Sequence, residues 1–433
     1  MTDALLAFAA LFALALLRIP LAFAMGIVGF GALAWTLSFD AAAASIAQTV
    51  YETGALYTLS VIPLFTLMGG LVTRSGLSRE LYAAAYAFLG HRRGGLATST
   101  IMASAGFGAI CGSSLATAAT MARVALPEME QRGYQPGLAT ASIAAGGTLG
   151  ILIPPSVIMI LYGIMTDTSI AALFAAGILP GIVATLFYVA AVRWTVWRNP
   201  EAAPPGERVG WSVRLAALRE IWRVLVLFVV VLGGIYGGIF TPTEAAGIGA
   251  FGAFLITLLR GQTSLAGFAR IFLDAARTSA MIFAVLTGAL IFANYINFTS
   301  MSSDLAALIE AYSIPAVGVI LMLVVIYIVL GCLFESISMI VLTVPVFYPI
   351  VQGLGFDLVW FGIVVVVVTE ISLITPPVGM NVFVLRSLTP HIATGTIFRG
   401  LAPFIAVDFV RIAVLVLLPA LTLALPQALG LMH

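Results

Sequence analysis

Charge is scarce in this chain. Asp, Glu, Lys and Arg make up 9% of its 433 residues against 62% hydrophobic, and the mean hydropathy is +1.15. No water-soluble domain keeps so much apolar surface out of solvent, so the composition excludes soluble classes and defines a polytopic membrane protein. Lysine is missing altogether. All 19 basic residues are arginine, a bias to which we attach no functional role. The three histidines, His91, His391 and His433, lie far apart without ligand spacing, which argues against a metal centre built on side-chain nitrogens. Cys111 and Cys332 sit in apolar stretches and read as buried thiols, so no disulfide framework is expected. With a net charge of +1, no nucleic-acid partner is expected either. An intramembrane enzyme would need a nucleophile beside a base, or a metal cluster, and the spans carry neither pattern.

What the chain does contain is an internal duplication. Gly150-Ile151-Leu152-Ile153-Pro154-Pro155 is echoed by Ser372-Leu373-Ile374-Thr375-Pro376-Pro377, an offset of 222 residues. The same offset carries Pro127 onto Pro349 and Gly133-Tyr134 onto Gly355-Phe356. Each copy interrupts an apolar helix with adjacent prolines, which remove backbone donors and push the preceding residue out of the helical region. In a bilayer such a break survives only where protein or a water-filled cavity satisfies the freed carbonyls, and transporters bind ions at such breaks.

The arginines orient the chain. Clusters at Arg18, Arg74 to Arg93, Arg123/Arg132, Arg193 to Arg223, Arg260 to Arg277 and Arg386/Arg399 can all face the cytoplasm in one threading. Its helices are 3–17, 20–37, 58–74, 137–165, 171–193, 222–240, 244–260, 278–297, 358–386 and 397–424, about ten crossings at about 20 residues per span. Both termini then lie outside. Met1 to Leu17 lacks a basic start and a small-residue cleavage site, so it reads as a retained helix. Segments 94–124 and 315–349 each begin and end on one side, the first cytoplasmic and the second external. They read as re-entrant hairpins of opposite sidedness, which makes the repeat inverted in topology. The expected fold class is an all-α polytopic membrane protein with two re-entrant hairpins and two broken helices.

Candidate ligands gather at the tips and breaks. Gly112, Ser113, Ser114 and Thr117 put hydroxyls and a free helix start at the first tip, which suits a carboxylate or sodium; a plain small-residue packing face is the alternative. Glu335, followed by Ser336, is an ionisable group near mid-membrane at the second tip, and it either binds a ligand or is satisfied structurally by nearby serines. Freed carbonyls around Gly146, Gly147, Gly150, Ile153 and Pro154, and around Ser372, Ile374, Thr375 and Pro376, offer hard oxygen donors for a cation, with hydroxyls of Thr148, Ser156 and Thr375 beside them. Asn381 lies just past the second break. Substrate contacts are therefore expected from Ser113, Ser114, Thr117, Glu335, Ser336 and Asn381. Sodium contacts are expected from Gly112, Ser113, Gly150, Pro154, Glu335, Ser372, Thr375 and Pro376. Glu244 reads as a helix-start carboxylate, and Asp408 with Arg411 as a structural pair along one helix.

The runs Gly108 to Thr117, Gly150 to Ser156, Gly234 to Ala246 and Ile374 to Asn381 resemble the large membrane subunit of tripartite ATP-independent periplasmic (TRAP) transporters, and the resemblance covers essentially the whole chain. It implies sodium-coupled import of an organic acid, such as a C4-dicarboxylate or sugar acid, by an elevator mechanism in the bacterial inner membrane. It also implies two partners: a small four-helix membrane subunit, expected as a separate polypeptide, and a periplasmic substrate-binding protein. On this reading 1–93 holds scaffold helices and an interfacial arm helix, and 94–198 the first transport repeat. A cytoplasmic linker, 199–221, whose arginines read as an orientation signal with contact to anionic lipid as the alternative, leads to scaffold helices in 222–314 and the second transport repeat in 315–433. A self-sufficient sodium/carboxylate symporter of related fold, and an ion channel, are the competing readings.

Overall fold

Helices start in this chain where a polar side chain precedes an apolar run. Ser38, Ser113, Ser156, Ser169, Thr241 and Ser264 each accept a hydrogen bond from the amide three residues on. Asp357 and Glu335 do the same with carboxylates. Each such cap stabilises its helix by about 1 kcal/mol. The structure, a computed structural model, describes residues 1–261 and 263–432. Gln262 and His433 lie outside the described residues, the latter one of the three histidines above and the last position of segment 315–433.

Among the described residues every regular element is helical. Helices α1 (Thr2–Leu16), α2 (Leu21–Thr36), α3 (Phe39–Ala55), α4 (Val61–Arg74) and α5 (Leu77–Leu89) lead to a hairpin of α6 (Gly95–Cys111) and α7 (Ser114–Gln131). The halves of the first broken helix, α8 (Pro136–Leu152) and α9 (Val157–Thr166), are followed by α10 (Ile170–Arg198). Next come α11 (Trp211–Glu220), α12 (Trp222–Tyr236), α13 (Pro242–Leu259), α14 (Leu265–Phe298) and α15 (Met301–Ala311). The second hairpin is α16 (Ala316–Gly331) and α17 (Ser336–Gly353), the second broken helix α18 (Leu358–Ile374) and α19 (Met380–Leu388), and α20 (Thr394–Leu417) and α21 (Ala420–Ala428) close the chain. Hairpin, broken helix and long helix thus recur in the same order in both halves.

Seven helical segments among the described residues, counting α8 with α9 as one, are long and apolar enough to cross a membrane, and α1, α2, α6, α12, α16 and α18 are shorter apolar helices. The helices fall into two packed groups. One is built on α2 against α14 and α4 against α13; the other surrounds α8, which touches α6, α7, α10, α18 and α20. In the first group the backbones come so close that a Cβ on Gly288 would strike the Ala22 carbonyl, the small-residue packing typical of membrane helices.

Several elements depart from the sequence expectation. The span placed at 278–297 is the end of a 34-residue helix: Arg270 and Arg277, placed before that span by the sequence threading, lie within the helix. The region around Asp40 is helical because Ser38 caps it, and the loop Ser300 to Ser313 contains α15. The segment 397–424 divides after Leu417, since Pro419 cannot donate within a helix. The linker 199–221 is no free tether. Ala202 and Ala203 accept backbone hydrogen bonds from Gln135 (2.9 Å) and Gly94 (3.2 Å), and Gly206 donates to Gly90 (2.9 Å).

Candidate functional site

Each hairpin leans on the broken helix of its own repeat. A Cβ on Gly108 would come 2.6 Å from the Cα of Gly150, and one on Gly150 would come 2.6 Å from Thr117 Oγ1 and 2.9 Å from the Ser113 carbonyl. Hairpin and break therefore meet backbone to backbone. Gly112 turns the tip with φ +63°, open to glycine at little strain, and a Cβ there would lie 2.9 Å from the Pro155 carbonyl. In the second repeat Gly331 packs against the side chain of Ser372 rather than against backbone, and Cys332 donates to the Pro376 carbonyl at 3.6 Å. Both proline pairs, Pro154-Pro155 and Pro376-Pro377, are cis.

The caps differ between tips. Ser113 accepts from the Ala116 amide at 3.4 Å. Glu335 accepts from the amides of Ile337 (3.2 Å) and Ser338 (3.3 Å), both on Oε2. Backbone amides rather than serine hydroxyls hold this carboxylate.

At the first break α8 runs unbroken to Leu152, so the carbonyls of Gly146 and Gly147, expected to be free, stay in the helical ladder. The prolines instead strip the donors from the carbonyls of Gly150 and Ile151. Ser156 Oγ replaces one by donating to Ile151 O (2.5 Å), while Thr148 and Thr375 donate to Ala145 O (2.8 Å) and Ile371 O (2.6 Å). At the second break the donors are stripped from the carbonyls of Ser372 and Leu373.

Both tips and the helix segments flanking the breaks, at Ile151, Val157 and Leu373, line one cavity of about 620 Å³, whereas Gly150, Pro154, Ser372, Thr375 and Pro376 do not line it. Four pairs related by the 222-residue offset line it: Ser113 with Glu335, Ser114 with Ser336, Leu115 with Ile337, and Ile151 with Leu373. The opposite wall comes from the other helix group, with Thr66, Gly69 and Thr73 on α4 and Asp274 and Thr278 on α14. Arg74, 3.6 Å from Asp274, and Arg123 also line it. A second cavity of about 420 Å³, among Tyr57, Asp167, Thr168 and Thr241, contains none of the tip or break residues.

Two expected substrate ligands lie elsewhere. Thr117 is fully buried and donates to Ser113 O at 2.7 Å. Asn381, also fully buried, donates to Ala144 O and Ser114 Oγ, each at 2.9 Å, and so ties α19 of the second repeat to the first tip. Both are withdrawn from the cavity because their polar atoms are spent on backbone and tip contacts. Sequence reasoning missed the α4 and α14 wall and used Arg74 and Arg123 only for orientation. The signal was present: Thr66 and Thr73 are seven apart, and Asp274 and Thr278 four apart, so each pair shares a face of its apolar helix.

A fold of paired hairpins and broken helices around a central polar cavity defines a membrane carrier. Residues 8–421 match the family model described as "Tripartite ATP-independent periplasmic transporter, DctM component", and the chain belongs to this family. It is 34% identical over 401 residues to the C4-dicarboxylate TRAP transporter large permease protein DctM of Pseudomonas aeruginosa, covering 92% of this chain and 93% of that one. It is 30% identical to the sialic acid TRAP transporter large permease protein SiaM of Vibrio cholerae, covering 86% of each. Among solved structures, the YdaH transporter of Alcanivorax borkumensis superposes with a TM-score of 0.65 at 17% identity, covering 89% of this chain and 90% of that one, a likeness of fold.

Proposed function

We propose that this chain is the large membrane subunit of a sodium-coupled importer of an organic acid, a C4-dicarboxylate or a sugar acid. The observation that carries this reading is the cavity lined by repeat-related residues from both tips and from the helices beside both breaks. Sodium sits near each tip. One ion uses Ser113 and Gly112 with the Gly150 carbonyl; the other uses Glu335 with the Ser372 carbonyl and residues at Thr375. These oxygen donors match the preference of a hard cation. The substrate carboxylate meets the helix starts at Ser114 and Ser336, whose dipoles favour an anion. Arg74 and Arg123 add positive charge at the mouth.

The group built on α8, with both hairpins, moves as one body against the group built on α2, α4, α13 and α14, in elevator fashion. The chain spans a bacterial inner membrane with both termini on the periplasmic side. It works with a small four-helix membrane subunit seated on scaffold helices, where α2, α12 and α13 expose Phe23, Ile27, Val229 and Phe251. A periplasmic binding protein docks near Asp40, Asp167 and Ser300 to Ser313. Reconstitution with and without these partners tests the reading: uptake of the binding protein's ligand is expected only when all three are present and sodium is supplied. Robust sodium-driven uptake by this chain alone would make it a self-sufficient symporter.

A further inference from the structure

Behind the cavity, α8, α10, α18 and α20 enclose a cluster of charges cut off from solvent. Glu370, Asp408 and Arg411 each have 0% exposure. Arg411 Nη2 lies 2.8 Å from Glu370 Oε2 and 3.0 Å from Asp408 Oδ1, and the guanidinium sits over the Tyr188 ring at 5.7 Å. Tyr188 donates its hydroxyl proton to Asp408 Oδ2 at 2.9 Å, and its oxygen lies 3.0 Å from Thr148 Oγ1. With the tyrosine proton engaged by the carboxylate, the single hydroxyl proton of Thr148 is shared between two acceptors, the Tyr188 oxygen and the Ala145 carbonyl at 2.8 Å.

The result is a continuous line: Thr148, Tyr188, Asp408, Arg411, Glu370. Its two ends are the same position of the duplicated unit, 222 residues apart. Thr148 stands two residues before Gly150 and Glu370 two residues before Ser372, where each broken helix loses its backbone donors. Charges this deeply buried are expensive to hold in place, and removing one partner leaves the others uncompensated. Packing alone needs no such cluster, since apolar residues of similar volume usually serve as well or better.

The geometry points to a positioning role: this buried line fixes the spacing of the two breaks, so that an ion bound at one raises the affinity of the other. The inference deepens the sodium reading above and rests on it for the ion's identity. Two breaks joined by a stiff connection respond together, and loosening the connection uncouples them.

Binding of ²²Na⁺ to the purified chain tests this without any organic acid. The wild-type isotherm is expected to be steep, with a Hill coefficient well above one. Tyr188→Phe keeps the ring and removes only the linking hydroxyl, and Glu370→Gln keeps the shape and removes the charge. Both should flatten the isotherm toward a Hill coefficient of one, with half-saturation raised about three- to tenfold, while the chain stays folded by gel filtration. Spin labels at Asp167→Cys and Ser387→Cys, in a background lacking Cys111 and Cys332, should show a broader distance distribution in Tyr188→Phe. A wild-type slope in both variants, or a wild-type distance distribution in Tyr188→Phe, would overturn the positioning role. If the wild type binds no sodium, the sodium reading fails, and the distance measurement alone decides: an unchanged distribution in Tyr188→Phe rejects the line as a brace.

Discussion

Ser113 and Glu335 hold the same place in their repeats, each capping the helix that leaves a hairpin tip, yet one is a neutral hydroxyl and the other a carboxylate. The pattern continues inward. Thr148 corresponds to Glu370, Gly150 to Ser372 and Ile153 to Thr375. The first repeat solves its packing with glycine and backbone contact, whereas the second places side-chain oxygens at the same points. Backbone geometry has been kept through the duplication while charge has moved to one side. On the sodium reading proposed above, two sites of similar shape would present unequal fields to an ion, with the carboxylate at the second.

The difference in packing should give the largest effects. Gly108→Ala drives a Cβ into the backbone of Gly150, and overpacking of this kind costs about 1–3 kcal/mol. Gly331→Ala meets the side chain of Ser372 instead. Thermal melting of purified protein should show Gly331→Ala rescued by adding Ser372→Gly, with Gly108→Ala left unrescued by any side-chain truncation nearby. Equal rescue in both repeats would erase the contrast between them.

Charge at the tips should matter next. Glu335→Gln is expected to raise the sodium concentration for half-maximal uptake at least about tenfold, equivalent to about 1.4 kcal/mol. Ser113→Ala removes a neutral ligand and a cap, so a rise of about threefold is expected. A larger effect at Ser113 than at Glu335 would reverse the assignment of charge. The smallest effect belongs to a carboxylate outside both repeats. Glu244 accepts from Thr241 N at 2.8 Å and Thr241 Oγ1 at 2.9 Å in a capping box at the start of α13. Glu244→Gln should lower stability by under about 1 kcal/mol and leave sodium dependence unchanged.

Much of this architecture was legible in the sequence because prolines and glycines cannot hide. Pro154-Pro155 and Pro376-Pro377 mark the breaks, Gly112 marks a tip, and the repeat offset ties them together. The buried line was only half legible. Asp408 and Arg411 sit three apart and could be paired from spacing, whereas Glu370 and Tyr188 reach them from other helices, and no local pattern records that meeting. Asn381 shows the same limit: its place after the break suggests a ligand, and no local pattern records that its side chain bonds to Ala144 and Ser114 in the other repeat. Beyond the one interfacial arm helix expected within 1–93, helices α3, α5, α11 and α15 carry too little apolar length to register as spans, and start signals such as Ser38 are single residues.

Counting sodium ions tests the central claim most directly. Equilibrium binding of ²²Na⁺ to the purified chain should saturate at about two ions per chain, one for each tip and break, and the variant carrying both Ser113→Ala and Glu335→Gln should lose saturable binding over the same concentration range. No binding by the wild type, or full binding retained by that variant, would contradict the account.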